Sequence, residues 1–150
     1  MDKRNTIYFD LDGTLYDLYG QPRWLERITV DYDASAYDAD APMVDLDDLH
    51  AVLDALVSQG YRVGVISWCA GDNPPRWYDT AVRRVKRAWV KKFLPQATEV
   101  HIVKYGTPKH RVASDPQGIL IDDNNEILST WKGQKVHASE MFDTLKGLMQ

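Results

Sequence analysis

The chain has 150 residues, 44% hydrophobic and 27% charged, which suits one soluble globular domain with a sizeable core. Its net charge of −4 excludes a bulk attraction to nucleic acid or to a membrane surface. Its single cysteine, Cys69, excludes an internal disulfide and fits a reducing compartment.

Met1-Asp2-Lys3-Arg4 leads into a strand pattern rather than a long apolar core with a cleavage site. No secretory signal and no membrane span are expected, and the expected location is cytoplasmic. Ile7-Tyr8-Phe9 is the first short apolar run, and it ends at Asp10. Residues 17–45 follow, with a short helix expected around Trp24 to Arg27 and a loop-like stretch from Asp31 to Pro42. That stretch is too short for a second domain, and it reads as a flap or small insertion beside the first strand. Leu46, Leu49, Val52, Leu53 and Leu56 have helical spacing, with Gly60 as the stop. Val63-Gly64-Val65-Ile66 is the next apolar run and ends at Ser67. Trp77, Ala81, Val82, Val85, Ala88 and Trp89 form a second helical stripe, ended by Pro95. A weaker strand, Val100 to Val103, precedes Lys104, and Ile119-Leu120-Ile121 ends at Asp122-Asp123. Ile127, Leu128 and Trp131 predict a short helix, and Lys135-Val136-His137 a weak strand. Met141, Phe142, Leu145, Leu148 and Met149 predict a C-terminal helix. Short continuous apolar runs alternating with helices predict an α/β fold with a mainly parallel sheet.

Residues two apart on a strand project to the same side, so Asp10 and Asp12 share a face. Gly13 permits a sharp turn, and Thr14 brings a hydroxyl to the same rim. Two carboxylates forced together ionise cheaply only when a cation joins them. The pattern therefore points to a divalent metal, to a nucleophile beside an acid/base, or to both. In open α/β sheets ligands sit at the carboxyl ends of the strands. Asp10, Asp12, Ser67, Asp122 and Asp123 all fall at such ends. Their convergence on one rim is a stronger signal than any single motif.

Asp10-Leu11-Asp12-Gly13-Thr14 resembles the signature of the haloacid dehalogenase-like phosphohydrolase superfamily. Ser67 after an apolar strand is similar to its second motif, and Asp122-Asp123 to its fourth. The third motif is a lysine upstream of the fourth. Lys109 fits it better than Lys104, because it would open a short helix just before the fourth-motif strand. The resemblance implies a Rossmann-like three-layer sandwich over residues 1–150, with the short flap and no large cap domain. It implies Asp10 as the nucleophile that forms an aspartyl-phosphate. Asp12 is then the acid/base, its pKa raised by its neighbour Asp10. Mg²⁺ would be held by Asp10, the backbone carbonyl of Asp12, and Asp122 or Asp123. Thr14, Ser67 and the lysine would bind the phosphoryl group.

Each of these residues also has a plainer explanation. Asp-Gly is a common turn pair, Asp122 or Asp123 can cap a helix starting near Asn124, and serine is frequent at strand ends. Trp68 either stacks on a substrate ring or packs under the adjacent loop. The four histidines (His50, His101, His110, His137) show no joint metal-ligand spacing. Residues 31–54 hold eight aspartates and no lysine or arginine. Residues 76–92 hold seven basic residues against Asp79. Arg83, Arg84, Lys86, Arg87, Lys91 and Lys92 are expected to form a solvated helix face. A nucleic-acid surface is the rival, weakened by the lack of aromatics interleaved on that face.

The expected function is Mg²⁺-dependent phosphomonoester hydrolysis. Ile119 to Asn124 followed by Trp131 resembles the fourth-motif region of 5′-nucleotidases, which implies a nucleotide or deoxynucleotide monophosphate. Phosphorylated nucleic-acid ends, sugar phosphates and phosphoproteins are the alternatives. A capless site is open to bulky phosphates, or to a lid borrowed from a partner subunit in an oligomer. A non-catalytic binding or regulatory module is the alternative of another class. A binder, however, has no need of a nucleophile and an acid two residues apart.

Overall fold

The apolar runs become five strands: β1 (Thr6–Phe9), β2 (Arg62–Trp68), β3 (Ala97–Val103), β4 (Ile119–Asp122) and β5 (Gln134–His137). In the computed structural model, which describes residues 4–149, they form one parallel sheet of order β3-β2-β1-β4-β5. Met1, Asp2 and Lys3, from the segment expected to lead into the first strand, lie outside the described residues. The described residues form six α-helices: α1 (Trp24–Thr29), α2 (Leu46–Ser58), α3 (Arg76–Phe93), α4 (Lys109–Val112) and α5 (Asn125–Thr130) in the connections, and α6 (Met141–Leu148) after the last strand. The result is the expected three-layer α/β sandwich without a large cap.

Strand alternation sorts the core into two halves. Ile7, Phe9, Val63, Val65, Ile119 and Ile121 pack with buried residues of α2, α3 and α6. Tyr8, Ile66 and Leu120 face the other way, onto Leu128 of α5 and onto Trp131. The second layer is thin, since α4 and α5 are short, and large aromatics complete it. Trp131 lies edge-on to Tyr8 at 5.6 Å and donates its indole N–H to the Gly118 carbonyl at 3.0 Å. Among the described residues, no helix is long and apolar enough to cross a membrane.

Three strands exceed their apolar cores because a neighbour keeps offering backbone partners. Ser67 and Trp68 extend β2 by pairing with Ile102 and Val103, and Asp122 extends β4 by pairing with His137. The edge strand β3 begins at Ala97 rather than Val100, with Glu99 opposite Gly64. That keeps the end of β2 rigid where its side chains meet the site.

The flap is more ordered than a loop. After α1 it forms a 3-10 turn at Ala34–Tyr37 and is tied to α3. Tyr78 donates its hydroxyl to the Asp33 carbonyl at 3.1 Å, and Trp89 donates its indole N–H to the Ala39 carbonyl at 3.1 Å. Tyr16 meets Trp89 edge-on at 5.5 Å. Its acidic residues are partly matched locally: Arg27 pairs with Asp33 at 3.0 Å and Arg23 with Asp31 at 3.4 Å.

A polar latch joins β1 to the edge of the sheet. The fully buried Tyr8 donates its hydroxyl to Glu99 at 3.0 Å and accepts from the Asp115 N–H at 3.0 Å. Tyr8→Phe keeps the ring and leaves Glu99 its bonds from Ser114, but it strands the Asp115 N–H, so stability should fall by about 1–3 kcal/mol. Urea denaturation checks this, and an unchanged midpoint would rule the latch out as a stabilising element.

Candidate active site

Asp10 follows β1 directly, and its N–H donates to the Ile121 carbonyl at 3.0 Å, which locks the ends of β1 and β4 together. The chain then turns within one step. The Leu11 carbonyl accepts from the N–H groups of Thr14, Leu15 and Tyr16 at 2.8–3.0 Å. Gly13 makes this possible with a φ of 80°, and a Cβ there would overlap the Asp123 carboxylate. The turn leaves Asp10 and Asp12 on the floor of a cavity of about 410 Å³ together with Asp122 and Asp123. That size is typical of a small-molecule site.

Oxygens of Asp10, Asp122 and Asp123 lie within 4.8 Å of one another, a spacing that suits a small divalent cation. Thr14 sits among them, its hydroxyl 3.2 Å from Asp10 and 3.4 Å from Asp123. It orients carboxylates rather than facing open space. Asn124, not Asp122 or Asp123, caps α5, with its side chain accepting from the N–H groups of Glu126 and Ile127. Asp122 instead accepts from the Asn124 N–H at 3.0 Å, which holds one oxygen still while the other meets Lys109 at 2.8 Å.

The structure separates the two candidate lysines. Lys109, at the start of α4, is 2% exposed and donates to Asp10 at 3.0 Å and to Asp122 at 2.8 Å. An ammonium group has three N–H donors, so one is left for a ligand. Burial works against the charge of Lys109, but Asp10 and Asp122 outweigh it and raise its pKa. Lys104 lies outside this floor. It lines a neighbouring cavity of about 600 Å³ with Arg76, Arg83, Asp72 and Asp79.

Ser67 is fully buried at the end of β2. Its hydroxyl accepts from Lys86 at 2.9 Å. Lys86 lies outside the predicted site, and the expectation that it belongs to a solvated face is corrected. It is 1% exposed and also donates to Asp12 at 2.7 Å and to the Trp68 carbonyl at 2.6 Å. The sequence did hold a cue. Lys86 lies four residues from both Val82 and Val90, two buried residues of the inner stripe of α3. Burial raises the Asp12 pKa, Lys86 opposes it and Asp10 adds to it.

The walls are aromatic. Tyr19 and Trp24 of the flap meet edge-on at 4.9 Å, and Trp68 and Tyr105 tilt together at 4.9 Å from the β2 and β3 ends. Trp68 lines the cavity and packs under the adjacent loop, where its indole donates to the Thr107 carbonyl at 2.8 Å. None of the eight aspartates of residues 31–54 lines the cavity. The flap therefore presents apolar and aromatic surface to it.

The fold and this cluster define a parallel α/β protein with an acidic, lysine-braced pocket at the carboxyl ends of its strands. No family model matches the chain, and no curated protein matches it.

Burial, reinforced by Asp10 and opposed by Lys109, pushes the Asp122 carboxyl up to about 6. Burial, reinforced by Asp10 and Asp122, pushes Asp123 up to about 7. Both values exceed the ordinary carboxylate value of about 4. Protonation at these groups therefore favours the metal-free fold, and that contribution is lost as pH rises toward about 7. A divalent cation needs the deprotonated forms. If Mg²⁺ occupies these carboxylates, the rise in melting temperature on adding it should be small near about pH 5 and reach a plateau by about pH 8. A Mg²⁺ effect that is flat with pH would contradict this site.

Proposed function

We propose that the chain is a Mg²⁺-dependent phosphomonoester hydrolase of the haloacid dehalogenase-like type. The observation that carries the reading is the shared cavity floor. There Asp10, Asp12, Asp122 and Asp123 lie together, with Lys109 paired to Asp10 and Asp122. One carboxylate oxygen of Asp10 attacks phosphorus, the bond to the leaving oxygen breaks, and an aspartyl-phosphate forms on Asp10. Asp12 gives its proton to the leaving oxygen, then takes one from the water that hydrolyses the acyl phosphate. The free N–H of Lys109 and the hydroxyl of Ser67 bind phosphoryl oxygens. Asp10, Asp122 and Asp123 are suited to hold Mg²⁺, with the Asp12 carbonyl as the further ligand that the family resemblance implies, and the ion would supply charge neutralisation for the phosphoryl group.

The substrate reading is a nucleotide or deoxynucleotide monophosphate. Its support is the aromatic wall above the acidic floor, where Tyr19, Trp24, Trp68 and Tyr105 offer flat faces to a base. A phosphorylated nucleic-acid end is the second reading, favoured by Arg76, Arg83 and Lys104 in the adjoining cavity. Asp72 and Asp79 line that cavity too and leave only a small cationic excess, so the small substrate ranks first.

Turnover of a panel of nucleotides, sugar phosphates and phosphorylated DNA ends, with and without Mg²⁺, tests the reading. Asp10→Asn should abolish Mg²⁺-dependent turnover. Asp12→Asn should slow alkyl esters by about 10²–10⁴ and activated aryl esters much less, because a good leaving group needs little acid catalysis. Equal losses on both ester types would remove Asp12 from that role. Lys109→Ala should lower activity far more than Lys104→Ala in the same assay, and the reverse order would reassign the phosphate contact.

A further inference from the structure

Asp12 holds an unusual position for a carboxylate. Its side chain is 18% exposed, and Oδ2 accepts from Lys86 at 2.7 Å. Its other oxygen, Oδ1, is shielded from water and has no hydrogen-bond partner among the described residues. Buried polar atoms almost always have partners, so an orphaned carboxylate oxygen beside a cavity asks for a reason. Lys86 is the group that enforces the asymmetry. Its three N–H donors are all used, on Asp12 Oδ2, on Ser67 Oγ at 2.9 Å and on the Trp68 carbonyl at 2.6 Å. The ring of Tyr37, from the flap, covers it at 4.5 Å. With no donor spare, Lys86 cannot bind substrate.

We propose that Lys86 is a positioning residue that fixes the Asp12 carboxylate for proton transfer and sets Ser67 as a donor to the substrate phosphoryl group. Holding Oδ2 fixes the plane and reach of the carboxylate that passes a proton to the leaving oxygen. Filling an acceptor position of Ser67 leaves its own hydroxyl proton for a phosphoryl oxygen. One cation thus sets both the acid and the anion contact, while Lys109 meets Asp10 and Asp122 on the same floor. The inference rests on the phosphohydrolase reading above.

The test is a leaving-group series, from an alkyl phosphate to 4-nitrophenyl phosphate, measured with Mg²⁺ on wild type, Lys86→Met, Asp12→Asn and the double variant. Lys86→Gln, which keeps a polar head, is run beside them should Lys86→Met fail to fold, and melting temperatures verify folding of all. Lys86→Met should lower kcat on the alkyl ester by about 10²-fold or more and on the nitrophenyl ester by under about tenfold, within the usual range for general-acid loss. In the Asp12→Asn background the same change should add less than about threefold, because the group it positions is gone. A merely structural lysine would slow all esters alike and add its full effect in the double variant, and either result overturns the proposal. An active wild type with an unaltered leaving-group slope in Lys86→Met overturns this inference alone. A wild type that turns over no phosphate ester overturns the phosphohydrolase reading and this inference with it.

Discussion

The constraint on which the site depends is charge crowding at the end of a parallel sheet. Four carboxylates, on Asp10, Asp12, Asp122 and Asp123, line one cavity floor, and two buried ammonium groups, on Lys86 and Lys109, brace them. With every group ionised the balance would be an excess of two negative charges. Carboxylates taken out of water are costly unless paired. The raised Asp122 and Asp123 carboxyls are the visible residue of that cost. A divalent cation is the species whose charge would remove it, and the oxygens of Asp10, Asp122 and Asp123 are spaced for one.

The two lysines divide the work by geometry. Lys109 binds the pair of carboxylates that end adjacent strands and keeps a donor in reserve. Lys86 spends every donor on the protein itself. The flap is part of this second arrangement rather than an appendage. It anchors on α3 through Tyr78 and Trp89, and it closes Lys86 in with Tyr37. The same segment turns Tyr19 and Trp24 toward the cavity, so it shapes both the surroundings of Lys86 and the cavity wall.

Much of the architecture was legible in the sequence. Ile7-Tyr8-Phe9, Val63 to Ile66 and Ile119 to Ile121 are continuous apolar runs because strands buried on both faces must be apolar throughout, and each became a strand. The carboxylates were legible for the same reason, since polar residues that end such runs fall on one rim of a parallel sheet. Lys86 was not, because a lysine within a basic stretch looks solvated until the opposite element is known. Its four-residue spacing from Val82 and Val90 marks it as inward only once α3 is laid on the sheet. Which face of the flap meets the site was not legible either. Its aspartates pair with Arg23 and Arg27 or point elsewhere, and its apolar side chains line the cavity.

The sequence by itself determined the strand–helix order, the parallel sheet and the set of carboxylates at its rim, because those follow from local periodicity and from where apolar runs stop. Only the tertiary structure placed Lys109, and not Lys104, against Asp10 and Asp122, brought Lys86 to Asp12 and Ser67, and turned the aromatic face of the flap toward the acidic floor. Those outcomes depend on contacts between residues far apart in the chain, such as Lys109 with Asp10 and Lys86 with Asp12. Such contacts form only when packing fixes the direction of each buried side chain, and no local pattern encodes that direction.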